Sequence, residues 1–219
     1  LGEAARARSR ATIVGVTGSV GKTGAKEMLA SVLQPFGKVY ATKGNLNNHL
    51  GVPLSLANLP NDCDYAILEM GMNHAGEISP LSRMARPHVA LITTVDAVHI
   101  EHFQSIEAIA DEKAAIFDGM GGEGVAVLNA DNAQFARLKL HAQAKGMDRI
   151  LSFGTAADAL CRLQRYVVED DCSVVEASIA GTLLCYRLGT VGKHWAMMSV
   201  AVLGVVDALR ADIAQAASV

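Results

Sequence analysis

The chain has 219 residues, 51% of them hydrophobic, with 19 lysines and arginines against 22 aspartates and glutamates for a formal charge of -3. That is length for one large domain or two small ones with a sizeable core, and the charge lacks the basic footprint of a nucleic-acid binder. The longest mostly apolar run, Trp195 to Val206, falls short of the roughly 20 residues a membrane span needs, and no secretory signal is recognisable.

Residues 1–10 are rich in Ala and Arg, and Arg6, Arg8 and Arg10 read as a solvated linker. A chain opening this way, at Leu1, reads as a piece of something longer. "ATIVGV" (11–16) is a buried strand running into "GVTGSVGKTG" (15–24). The usual phosphate loop is G-x-x-x-x-G-K-[ST]. Counting back from Gly21-Lys22-Thr23 puts Val16 where the first glycine belongs, and Gly18 comes two places later. Beyond Lys22, the residues Ala25, Met28, Leu29, Val32 and Leu33 recur at helical spacing until Pro35 and Gly37 stop the helix. Strand, loop, GKT and amphipathic helix therefore fall in the order a phosphate loop requires; an ordinary Gly-rich turn requires no such order. In this arrangement backbone N–H groups and a helix N-terminus face phosphate oxygens. Gly18 and Gly21 supply backbone freedom, Lys22 reaches the β/γ-phosphates, and Thr23 offers its hydroxyl to Mg²⁺.

"TKGNLNNHLGVP" (42–53) is too polar for core. It is a candidate substrate or phosphate loop carrying Asn45, Asn47 and Asn48, or a plain turn, with Pro53 opening a helix. "YAILEMG" (65–71) is the next strand. A phosphate-loop enzyme needs an acid on a neighbouring strand to hold its metal, and Glu69 stands at the carboxyl end, where open α/β sheets bind ligands. The alternative is a surface glutamate following a strand. Residues 77–86 are helical, and "HVALITTV" (88–95) is a third strand, followed by "DAVHIEHF" with His99 and His102. Loop histidines are more often structural than catalytic, and two are few for zinc.

In the helix 105–117, Ile106, Ile109, Ala110, Ile116 and Phe117 form an apolar stripe, and Lys113 belongs to it by spacing. A lysine there is costly unless paired or modified; the alternative is a side chain snorkelling from the stripe's edge. "GVAVLN" (124–129) and "RILSF" (149–153) are further strands, with helical character over 131–145 between them. From Arg162 to Leu188, runs of Val, Ile and Tyr broken by "EDD" and "AG" predict two or three antiparallel strands, and 193–210 is a helix apolar on nearly every side. The expected fold is thus α/β: a P-loop NTPase-like, mostly parallel sheet with helices on both faces and a small antiparallel β segment appended. Cys63, Cys161, Cys172 and Cys185 show no C-x-x-C spacing and read as reduced thiols of a cytosolic protein.

Taken together, these segments resemble the Mur ligases, the ATP-dependent amide ligases of peptidoglycan synthesis in the bacterial cytoplasm. "VTGSVGKT" is similar to their T-G-[ST]-x-G-K-[ST] loop, which lacks the leading glycine. "GNLNNHLGVPLSL", "LEMGMNHAGEI", "TTVDAVHIEHFQSIEAIADEKAAIF" and "GKHWAMMSVAVL" resemble the branch that joins D-alanyl-D-alanine to UDP-N-acetylmuramoyl-tripeptide. The resemblance runs from about residue 11 to 210 and covers the family's central ATP-binding domain. It implies that residues 1–10 link to an N-terminal domain for the UDP moiety, and 211–219 to a C-terminal domain.

The resemblance also implies roles. Thr17, Gly18, Ser19, Val20, Gly21, Lys22, Thr23 and Gly24 would form the ATP loop, with His194 near the nucleotide. Thr23 and Glu69 would hold one Mg²⁺, and His99 a second. Lys113 matches a lysine that several members carbamylate, its carbamate also helping to hold the second ion. Asn47 and Asn48 would lie near the acceptor and the phosphates. Three departures stand out: Thr94 where asparagine is common, Met198 where an adenine-binding amide is usual, and Gly24 where many relatives carry Thr or Ser. Other expectations compatible with the loop are a sister ligase adding the third amino acid, folylpolyglutamate synthase, or a nucleotide-binding module without catalysis. "GNLNNHLGVP" argues against the first two, and a GTP switch would carry an N-K-x-D motif that the sequence lacks.

Overall fold

The computed structural model describes residues 1–98 and 100–219. Its elements follow in chain order: α1 (Gly2–Arg8), β1 (Thr12–Thr17), α2 (Lys22–Val32), β2 (Val39–Ala41), α3 (Gly51–Ala57), β3 (Tyr65–Glu69), α4 (Ile78–Ala85), β4 (Val89–Ile92), α5 (Ile106–Ala114), β5 (Val125–Asn129), α6 (Phe135–Ala144), β6 (Arg149–Gly154), β7 (Cys161–Glu169), β8 (Cys172–Ile179), β9 (Thr182–Leu188), α7 (Lys193–Ala208) and α8 (Ile213–Ala216). Among the described residues the strands form one sheet in the order β2-β3-β1-β4-β5-β6-β7-β8-β9. Pairing is parallel from β2 through to β7 and antiparallel for β7–β8 and β8–β9. The expected mixed sheet is present, and its appended segment has three strands.

The central strands read as unbroken apolar runs because both sheet faces are covered. Successive residues alternate between two cores: Ala66 and Leu68 of β3 and Ala90 and Ile92 of β4 pack with α3, α4 and α5. Ile67, Val89 and Leu91 pack on the other side with α2 and α7. Helix α7 is buried along most of its length, from Ala196 to Ala208, which explains its nearly all-apolar sequence. Among the appended strands, β8 alternates strictly between buried and half-buried positions, β9 has half-buried and exposed positions only, and residues 164–169 of β7 are exposed.

Three local expectations need correction. Residues 2–8 form a helix packed on α3 and α4, where the Arg/Ala composition suggested a solvated linker. Arg6 is buried, its Nε donating to the Ala85 carbonyl at 2.6 Å and a second nitrogen to Arg86 O at 3.3 Å. Carbonyls freed at the end of α4 thus supply acceptors that a charge count cannot reveal. Secondly, α3 begins at Gly51, and Pro53 sits within its first turn, where a missing N–H costs nothing. Thirdly, the 211–219 segment contains α8, whose Ala216 joins the core beside α7. No helix of the described residues is long and apolar enough to cross a membrane.

Candidate active site

The carboxyl ends of β1, β3 and β4 lie side by side, and the loop 18–21 leaves β1 at this edge. Two glycines in it adopt a positive φ that L side chains rarely take. Gly18 has φ +148°, and a Cβ there would lie 2.0 Å from Thr93 Oγ1; Gly21, at φ +86°, precedes α2, and a Cβ there would lie 2.5 Å from the Met198 methyl. Gly18 therefore turns the chain and also admits Thr93, which donates to Val20 O at 2.6 Å. The loop is tied further to the edge beyond β4: Ser19 N–H donates to Thr94 O at 2.8 Å, and Ser19 Oγ bonds the backbone of Asp96. Lys22 Nζ donates to Gly18 O at 2.8 Å, and its pKa is lowered by burial against a smaller opposing pull from Glu69. The Thr17 hydroxyl is fully buried and unpartnered among the described residues.

Glu69 is 2% exposed, so it is not a surface acid. Its two oxygens face different elements: Oε2 accepts the Thr23 hydroxyl at 3.0 Å, and Oε1 accepts the Asn47 amide at 2.8 Å. Its own N–H donates to Thr42 Oγ1 at 3.2 Å. One carboxylate therefore joins the phosphate loop's threonine to the 42–53 loop. Asn47 also receives the Gly71 N–H on its carbonyl at 2.8 Å. Asn48 plays a local part as well, for its side-chain oxygen accepts the N–H groups of Leu50 and Gly51 and so caps α3. Between these groups lies a polar cavity of about 310 Å³ lined by Lys22, Asn45, Asn47, Asn48, Asn73 and Glu77 among others.

Lys113 is 2% exposed on α5, and among the described residues its side chain makes no hydrogen bond or ion pair. Burial, aided by the charge of Lys22 and opposed by Glu112, pushes its ammonium down to about 7. Glu112 beside it is buried and clamps the start of α4: Oε2 accepts Gly76 N–H at 2.7 Å and Oε1 accepts Ile78 N–H at 2.8 Å. His99 lies outside the described residues. The His102 ring lies against that of His74, centroids 4.5 Å apart and planes tilted by 41°.

On the other side of the loop, an apolar cavity of about 350 Å³ runs between it and α7, lined by Gly21, Gly24, Phe153, His194, Trp195 and Met198 together with Thr93, Thr94 and Asn129. The departures from the family pattern cluster here. A Cβ at Gly24 would stand 2.8 Å from the Trp195 ring, so the indole occupies the space that a Thr or Ser side chain would need. Thr94 Oγ1 receives the Asn132 amide at 3.0 Å. Met198 lends the cavity an apolar wall where an amide was expected. Thr93, Asn129, Trp195 and Lys26 were not singled out from the sequence. Lys26 alone carried a usable signal, being a lysine set in the apolar stripe of α2.

A glycine-rich loop between strand and helix, with a buried acid on the adjoining strand, defines a P-loop-type α/β domain. Residues 16–206 match the sequence profile described as the Mur ligase middle domain. The UDP-N-acetylmuramoyl-tripeptide--D-alanyl-D-alanine ligase of Rickettsia prowazekii is 35% identical over 208 residues, covering 95% of this chain and 46% of that protein. Among solved structures, MurF from Acinetobacter baumannii superposes with a TM-score of 0.91 at 29% identity, over 99% of this chain and 48% of its own. MurF from Thermotoga maritima in complex with ADP gives 0.85 at 27%, over 100% of this chain and 51% of its own. The chain belongs to the Mur ligase family, and it spans about half the length of the relatives it matches.

Proposed function

We propose that this chain is the ATP-binding centre of a ligase that joins D-alanyl-D-alanine to UDP-N-acetylmuramoyl-tripeptide in peptidoglycan precursor synthesis, in the bacterial cytoplasm. The observation that carries the reading is the Glu69 carboxylate, held between Thr23 of the phosphate loop and Asn47 of the 42–53 loop. Nucleotide side and acceptor side meet on a single buried acid. The similarity to ligases of this name over most of the chain supports the choice of substrates.

In the proposed reaction the tripeptide carboxylate attacks the γ-phosphorus of ATP, ADP departs, and an acyl phosphate results. The amine of D-alanyl-D-alanine then attacks the carbonyl carbon; phosphate leaves and the amine gives up a proton. Protein catalysis of phosphoryl transfer is mostly positioning and charge neutralisation. The N–H groups of residues 18–23 and the Lys22 ammonium would hold the β- and γ-phosphates. The apolar cavity against Trp195 and Met198 would take the base, with Asn129, Thr93 and His194 as its polar neighbours.

The Thr23 hydroxyl and Glu69 carboxylate, 3.0 Å apart, are hard oxygen donors of the kind Mg²⁺ takes. When bound there, the ion would neutralise phosphate charge. A lysine ammonium cannot ligate a second ion, but a neutral Lys113 amine can add to CO₂, losing a proton to give an N-carboxylate with two oxygen donors. Its lowered pKa supports that chemistry. His99 is the proposed companion ligand. Further domains of the same protein would bind the UDP moiety and close over the substrates.

Lys22→Ala in the full-length protein tests the reading. ATP turnover is expected to fall by about a thousandfold, the scale on which preorganised charge stabilisation acts, and near-normal turnover would contradict it.

A further inference from the structure

Lys26 is a lysine with no solvent exposure, and nothing in the reaction above uses it. It sits on α2 one turn beyond Lys22, among Ala25 and Leu29 of the buried face. A buried ammonium has three donors, and each unmet one is costly. Here Nζ donates to Thr42 O at 2.8 Å and Gly44 O at 3.1 Å and pairs with Glu27 Oε1 at 3.0 Å; Glu69 Oε2 stands 4.0 Å away.

Two of these partners are backbone carbonyls at the start of the 42–48 loop, so the contact fixes the course of the loop whatever its side chains. The far end of the same loop is held by Asn47, through Glu69 on one side and Gly71 on the other. Between the two anchors run Asn45 and Leu46, and the polar cavity opens beside them. α2 therefore carries two lysines with separate duties: Lys22 faces the phosphate loop, and Lys26 reaches underneath it to the acceptor-side loop.

We infer that Lys26 is a positioning residue which docks the 42–48 loop on the phosphate-loop helix and thereby sets the distance between the acceptor pocket and Lys22. The kinetic part of this inference rests on the ligase reading above; the docking part does not. A lysine with only a structural role would change stability and every kinetic constant together. A docking lysine acts on the acceptor side and leaves the nucleotide side intact.

The test uses Lys26→Met, which keeps the stem and drops the donors, and Lys26→Gln, which keeps two donors without charge, both in the full-length protein. Hydrogen exchange is read without nucleotide or metal at two adjacent amides. Gly71 N–H donates to Asn47 O in the loop, and Met70 N–H donates to Val16 O in β1. In Lys26→Met, Gly71 is expected to exchange about tenfold faster or more while Met70 stays within about twofold. Lys26→Gln should lie between, and carries the test alone if the methionine variant does not fold. In turnover, KM for the UDP-linked tripeptide should rise about tenfold with KM for ATP within about twofold. Unchanged Gly71 exchange, or a rise in both KM values together, overturns the inference. If the unaltered protein shows no ligase turnover, the ligase reading falls, and the exchange ratio still decides whether Lys26 docks the loop.

Discussion

Lys113→Met should make the protein more stable at neutral pH while removing the proposed second-ion chemistry. The ordinary lysine pKa of 10.5 falls to about 7 in the folded chain, chiefly by burial. At about 1.36 kcal/mol for each tenfold change in proton affinity, this burial costs on the order of 4 kcal/mol at pH 7. Between about pH 7 and 10.5 the unfolded chain binds the proton that the folded chain has released, so stability rises with pH across that window. About 3 kcal/mol of the cost should be recovered by pH 9.5. Methionine fills similar volume and carries no such slope.

Urea unfolding at the two pH values, in CO₂-free buffer without metal or nucleotide, measures the difference. The variant should be the more stable protein at neutral pH, and its advantage should shrink at pH 9.5. Bicarbonate added over Mg²⁺ should stabilise further only the unaltered protein, because the carbamate needs the Lys113 amine and forms in the folded state. A variant less stable than the parent at neutral pH, or a difference that ignores pH, would refute the reasoning.

Two further substitutions probe the packing of the site. Gly24→Ser should force the Trp195 ring to move and cost about 1–3 kcal/mol. Trp195 is the single tryptophan of the chain, so a change in its fluorescence reports the displacement directly, and a Trp195→Leu background should lower the cost; an unmoved spectrum with unchanged stability counts against the clash. Glu112→Gln leaves one of the Gly76 and Ile78 N–H groups facing an amide NH₂ and should cost about 1–3 kcal/mol in urea unfolding. A loss below about 0.5 kcal/mol would mean that the clamp on α4 does not matter.

Most of the fold could be read from the chain because its signals are local. β1, β3, β4 and β5 are apolar runs, α2 and α5 carry apolar stripes, α7 is apolar on nearly every side, and the loop sits between strand and helix. β2 was missed since Val39–Ala41 is too short to show a period. α1 was missed because its arginine finds acceptors on α4, distant in sequence. In the site, Glu69 and Lys113 were recognisable as polar residues in apolar settings. Lys26 carries the same signal, one turn beyond the loop motif's own Lys22. The fit of Gly18 to Thr93 and of Gly24 to Trp195 is a matter of tertiary contact; no spacing rule encodes it. Nor could spacing show that Asn48 caps α3 while Asn47 reaches Glu69.

The central claim is that this centre drives amide bond formation between a UDP-linked tripeptide and D-alanyl-D-alanine. The most direct measurement is phosphate release from ATP by the full-length protein, with UDP-N-acetylmuramoyl-tripeptide present and each candidate amine supplied in turn. Release is predicted to need the tripeptide and to be coupled to product formation with D-alanyl-D-alanine alone. Equal release with single amino acids or glutamate, or release indifferent to any amine, would contradict it.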